Sequence, residues 1–178
     1  MKRLTALLAV PLMAASLTAI AAPASAAAVD GTCVASITLN FSPPATEPPP
    51  PGIGPVTTAT GTGTITTCVF PGGGATTGTF SYSLTGNLTC TAAQNVAGTL
   101  DIAWSDGTQT TATVTTLVPT LGSAGGAAGL SASVTSGRFD GDQVTIANLR
   151  DPLALITCLT TGLATASGIT SLTFTEPV

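Results

Sequence analysis

Asp101 and Asp106, Asp140 and Asp142, and the arginines Arg138 and Arg150 are the residues whose types and spacing come nearest to chemistry in this 178-residue chain. Histidine is absent, and the only lysine is Lys2. General acid–base catalysis most often uses histidine, and a serine or threonine nucleophile needs an adjacent base. Carboxylates are what remains. A paired-carboxylate glycosidase holds its two carboxyls about 5–9.5 Å apart across a cleft. Strand alternation puts Asp101 on the face opposite Ile102 and Trp104, so Asp101 and Asp106 fall on an outer surface beside a turn. Asp140 and Asp142 flank Gly141 and offer two oxygens to a calcium ion that takes six to eight, with few other acids near them in the chain. A hairpin turn accounts for that pair better. Arg138 and Arg150 read as internal partners of Asp140, Asp142 or Asp151, or as an anion-recognising fork in a pocket. The expectation is a protein with no catalytic residue, no cofactor and no metal site.

Four cysteines, Cys33, Cys68, Cys90 and Cys158, are spaced too widely for the close pairs that zinc prefers, and no histidine completes a mixed site. They read as two disulfides with three possible connectivities. The beginning of the chain supplies the compartment. Residues 1–26 combine a basic start at Lys2-Arg3, an apolar stretch from Leu4 to Ala22 and the small residues Ala24-Ser25-Ala26, the three parts of a cleaved secretory signal. The mature protein, 27–178, is then secreted, to the extracellular space or the cell envelope, with no membrane anchor. Its two arginines against eight carboxylates leave a net charge of −6. Nucleic acid and anionic lipid both need a basic face, so neither is an expected partner.

The elements that position these residues are strands. Threonine occurs 33 times after residue 26, repeatedly alternating with apolar or small residues, which is the period of half-buried strands. Ala35, Ile37, Leu39 and Phe41 share one face of a first strand, and a stiff Pro-rich connection follows over residues 43–55. Residues 57–68 carry Ala59, Gly61, Gly63 and Ile65 on one face, thin enough for another side chain to approach. Phe80, Tyr82, Leu84, Leu88 and Cys90 line up next, followed by Val96, Leu100, Ile102 and Trp104. Asp106-Gly107 then predicts a hairpin with a type I′ turn, and Asp140-Gly141 a second hairpin. Residues 148–159 fit a short helix or a buried strand, and Leu172 and Phe174 belong to a last strand.

This makes one all-β domain of about eight to nine strands, an antiparallel β-sandwich or an up-and-down β-barrel. Pairing the first two strands across the proline segment brings Cys33 near Cys68 and leaves Cys90 for Cys158. Cys68 points away from the face of Ile65 in that register, so a bulge or strand end is needed there.

Four stretches together resemble a set of small secreted β-rich proteins of actinobacteria. They are Cys33 with Phe41-Ser42-Pro43-Pro44, Gly61-Thr62-Gly63-Thr64-Ile65-Thr66-Thr67-Cys68, Trp104-Ser105-Asp106-Gly107, and Ser136-Gly137-Arg138-Phe139-Asp140-Gly141-Asp142. The resemblance implies export and an all-β fold and carries no active site. The acidic, Ala/Gly/Thr-rich composition is similar to that of the enediyne-chromophore carriers, whose cysteines close short loops unlike these. The Thr-rich meander is similar to avidin-like barrels, which use several tryptophans where this chain has Trp104 alone.

The functional expectation is a non-enzymatic binding or interaction domain. One form is a carrier of a small apolar ligand lined by Phe80, Tyr82, Trp104, Phe174 and Arg138. The alternative is a structural module that meets an extracellular protein through its Thr-rich faces or proline segment. A carboxylate-dependent hydrolase is the third and weakest reading.

Overall fold

A computed structural model of the chain describes residues 28–47, 55–74, 76–90, 93–119, 128–148 and 152–177. The expected signal at 1–26, Arg150 and Asp151 lie outside the described residues. The strands are Val29–Ala45 (β1), Val56–Val69 (β2), Gly78–Leu88 (β3), Ala93–Trp104 (β4), Gln109–Pro119 (β5), Ala128–Gly137 (β6), Gln143–Asn148 (β7) and Leu163–Thr175 (β8). One helix, Pro152–Thr161 (α1), links β7 to β8, which resolves the ambiguous stretch as helical. Each strand pairs antiparallel with the next and β8 pairs with β1, so the sheet closes into an eight-stranded up-and-down barrel rather than a sandwich.

Alternation then sorts every strand into an inside and an outside. Ala35, Ile37, Phe80, Leu100, Ile102, Val144 and Leu172 point inward and are at most 5% exposed, while the intervening threonines and serines face out. A barrel that spans a lipid bilayer has the opposite polarity, apolar outside. The narrowness of eight strands explains the glycines of β2. Gly61 sits opposite Tyr82 and Gly63 opposite Phe80, and a Cβ at either glycine would collide with the facing ring. The two rings occupy the space that side chains on β2 would have taken.

The first ladder runs from Thr32↔Val69 through Cys33↔Cys68 to Ser42↔Thr58, with a register shift between Val34 and Ala35. Thr66 is the extra residue, and it turns Cys68 to the buried side with Ile65. Disulfides join Cys33 to Cys68 and Cys90 to Cys158.

Two local expectations need correction. β1 does not stop before its prolines. It continues to Ala45, and its register with β8 jumps from Asn40 to Ala45, so Pro43 and Pro44 occupy a break in the ladder where no N–H is demanded. The Asp106-Gly107 hairpin is not type I′, since Gly107 has φ 85° while Asp106 is not in the left-handed region. Gly107 N donates to Trp104 O and Trp104 N donates to Thr108 O, the pattern of a three-residue loop with a glycine bulge. The Asp106 carboxylate accepts from the amide and the hydroxyl of Thr108, which favours this loop over the mirror-image turn. The last strand holds Leu172 and Phe174 as expected and begins at Leu163, its first half carrying small and polar residues.

The chain order of an up-and-down barrel puts the β2–β3, β4–β5 and β6–β7 turns, the start of β1 and the end of β8 at one end, called here the turn end. The β1–β2, β3–β4, β5–β6 and β7–β8 connections gather at the other, the loop end. The wall is not continuous there. β4 and β5 pair only from Ala103↔Gln109 to Thr99↔Thr113, so Ala93–Gly98 of β4 has no strand partner on that side among the described residues. Gly63→Val should lower stability by about 1–3 kcal/mol, since Phe80 and the Ser36 carbonyl both crowd the added atoms. A urea unfolding midpoint unchanged from the parent would show that the rings are not seated on β2 as described.

Candidate functional site

Strand ends supply a cluster of rings at the turn end. Phe70 follows β2, Trp104 ends β4, Phe139 lies in the β6–β7 turn and Phe174 is near the end of β8. Phe139 stacks on Phe174 at 4.5 Å between centroids, and Phe70 meets Trp104 edge-on at 5.8 Å. The Trp104 indole N–H donates to Thr110 Oγ1 at 2.9 Å, and that hydroxyl donates to the Arg138 carbonyl at 2.8 Å, so the one indole is anchored in the core.

Arg138 covers this cluster. Its guanidinium carbon lies 4.6 Å from the Phe70 centroid, 5.0 Å from Phe139 and 5.4 Å from Trp104. Such contacts are worth about 0.5–1 kcal/mol at exposed sites and more when desolvated. The partner of Arg138 is Asp106, at 3.4 Å, and neither Asp140 nor Asp142. A second N–H donates to the Gly73 carbonyl at 3.1 Å. The β4–β5 and β6–β7 turns are adjacent in the barrel, which sequence spacing does not reveal. Thr108 donates twice to Asp106 and Arg138 sits beside it, and together they hold its carboxyl below the usual carboxylate range. Outside this pair lies an open depression of about 640 Å³ lined by Gly74, Asp106, Thr108, Gln109, Gly137 and Arg138. Asp106 is the only carboxylate among those lining residues, so no second acid faces it there. Asp101 is on the outer face of β4, accepting from Thr111 at 2.9 Å, and Asp140 is exposed in its turn.

Asp142 has a different fate. It is 7% exposed, and its Oδ2 has no hydrogen-bond partner among the described residues. Burial, then Asp30 and Glu176 brought beside it from the two chain ends, push its pKa from 3.8 up to about 6. Nothing in the spacing of Asp30, Asp142 and Glu176 announces this meeting. It follows from closing β1 and β7 onto β8.

The five residues expected to line a ligand therefore separate. Trp104 and Phe174 are part of the turn-end cluster, with centroids 6.1 Å apart. Arg138 caps that cluster from outside and does not line the interior. Phe80 and Tyr82 lie further along the barrel over Gly63 and Gly61. Sequence reasoning missed Phe70 and Phe139, although both sit next to turns that any up-and-down barrel brings to one end.

At the loop end the inward residues Leu39, Phe41, Ala93 and Val96 pack on the core and remain partly exposed, as Phe70 and Phe139 do at the turn end. Beneath them lie Ala59, Leu84 and Val114, which are buried. Ala45, Cys90 and Cys158 form a small second cluster with Phe41 and Leu163, so the Cys90–Cys158 bridge ties α1 to this rim. One buried hydroxyl faces the interior unsatisfied. Thr57 Oγ1 is fully buried with no hydrogen bond to the described residues, whereas the buried Thr110 and Thr170 donate to the Arg138 and Ala147 carbonyls. The Tyr82 side chain is also buried, and burial raises its pKa well above the usual phenol value. Among the described residues no group of three or more Cys, Asp or Glu side chains is arranged to hold a metal ion.

Stability should respond to pH through Asp142. Its folded pKa is raised, so the folded state keeps a proton that the unfolded chain loses, and stability falls as pH rises from about 4 to about 6. Asp106 acts in the opposite sense and only below its ordinary value near 3.8, so the two windows separate. Asp142→Asn should flatten the pH 4–6 slope and be more stable than the parent at pH 7 by on the order of 1–3 kcal/mol. Thermal unfolding of both proteins from pH 3.5 to 8 reads this directly, and parallel curves would refute it. Comparison of the chain with protein-family models, with curated proteins and with solved structures finds no match.

Proposed function

We propose that this is an exported, non-catalytic carrier of a small apolar molecule, held in the loop-end half of the barrel. One observation carries the reading: Ala93–Gly98 of β4 has no partner on the β5 side among the described residues, at the end of the barrel where the inward residues Leu39, Phe41 and Val96 are partly exposed. The unpaired stretch of β4 beside β5 gives that half a route through the wall. Ligand sites are typically concave, mostly apolar and supplied with a few polar groups, and they occur in the mouths of β-barrels. Two disulfides fit an oxidising compartment, and the acidic composition offers nothing to nucleic acid.

The second reading, a structural or protein-interaction module, is favoured by the filling of the turn-end half, where Phe80 and Phe174 are 3% and 0% exposed. Titration of the exported, oxidised protein with diphenylhexatriene, a hydrocarbon that fluoresces in apolar surroundings, separates the two. A carrier should give a saturable signal at one equivalent with Kd below about 10 μM, a binding free energy of roughly −7 kcal/mol. A signal that rises linearly without saturation would favour the module.

A further inference from the structure

The carrier reading leaves the ligand's chemistry open, and one unsatisfied hydroxyl narrows it. Thr57 Oγ1 is buried on the inward face of β2 without a partner among the described residues, opposite Gly86, which has no side chain to meet it. A buried polar group left unpaired costs about 1–3 kcal/mol, and native structures rarely keep one without use. Thr57 is an exception within its own barrel, since the buried Thr110 and Thr170 both find carbonyls. Tyr82 brings a second hydroxyl onto the same face, its ring lying over Gly61. Four residues of β2 separate Thr57 from Gly61, about 13 Å along the strand. Between them the inward surface is Ala59 and Leu84, small and wholly apolar.

Charge is the second constraint. The only buried charged residue among those described is Asp142, and it belongs to the turn end. Arg138 is also at the turn end, paired with Asp106. An ionised ligand headgroup drawn into the loop-end interior would meet no counter-charge from the described residues, and an unpaired charge is far costlier to bury than a hydroxyl. Resting on the carrier reading, we infer that the loop-end interior is selective for neutral amphiphiles, molecules with an apolar body and an uncharged hydroxyl or carbonyl oxygen, which hydrogen-bonds Thr57 or Tyr82.

Thr57 and Tyr82 are then specificity residues, and the isosteric changes Thr57→Val and Tyr82→Phe remove the hydroxyls while keeping the packing. The test is displacement of bound diphenylhexatriene at pH 8 by decanol and by decanoate, which differ in headgroup charge. Decanol should displace the hydrocarbon at a concentration at least tenfold lower than decanoate. Thr57→Val or Tyr82→Phe should weaken decanol relative to diphenylhexatriene by three- to tenfold, and leave the urea midpoint equal to or above the parent's. Equal displacement by the two ligands overturns the inference while the carrier reading stands. Decanol affinity unchanged in both variants overturns it in the same way. Failure of diphenylhexatriene and decanol alike to bind overturns both.

Discussion

Pairing of β1 with β8 is the constraint on which the rest of the structure depends. β1 is matched along its length by β2 on one side and β8 on the other, from Val29↔Thr175 to Ala45↔Leu163. Without that ladder the sheet would have two free edges, and its apolar face would need a second layer to cover it. With it, the sheet covers itself, and the inward side chains of eight strands must share one narrow cylinder. The glycines of β2 and the rings of β3 are two halves of one answer to that limit. Gly61 and Gly63 give up volume, and Tyr82 and Phe80 occupy it.

Closure also makes the two ends unlike. Short turns converge at the end that holds Phe70, Trp104, Phe139 and Phe174, and Arg138 lies over three of these rings while satisfied by Asp106 and the Gly73 carbonyl. An arginine in this position buries its planar face and keeps its edge toward polar partners, which lysine does not do. Longer connections and α1 gather at the opposite end, where β4 and β5 separate beyond Thr99↔Thr113.

The disulfides are distributed over both ends. Cys33–Cys68 links neighbouring strands close to the turn end, and Cys90–Cys158 links the β3–β4 connection to α1 at the loop end. Each closes a long loop, with sequence separations of 35 and 68 residues. In the chain-entropy account each is worth about 3–4.5 kcal/mol through restriction of the unfolded chain. That matters for a barrel whose strands contain many threonines and glycines, since these residues bring little apolar area to the core.

The sequence by itself determined the strands, their inward faces and most of their turns, because each follows from local period and turn chemistry. Leu100, Ile102 and Trp104 alternate with polar residues whatever lies across from them, and Gly107 marks a turn in any fold. It also pointed to the β1–β2 pairing that brings Cys33 to Cys68, since the two strands are adjacent in the chain, while the disulfide connectivity stayed open until the structure joined Cys33 to Cys68. Barrel or sandwich was not legible, because closure depends on how β8 meets β1, strands more than a hundred residues apart that carry no local mark of their pairing. For the same reason the tertiary structure alone decided the Arg138–Asp106 pair, the meeting of Asp142 with Asp30 and Glu176, and the burial of Thr57 without a partner among the described residues. The period of a strand says which way a side chain points, and only closure of the sheet says what it finds there.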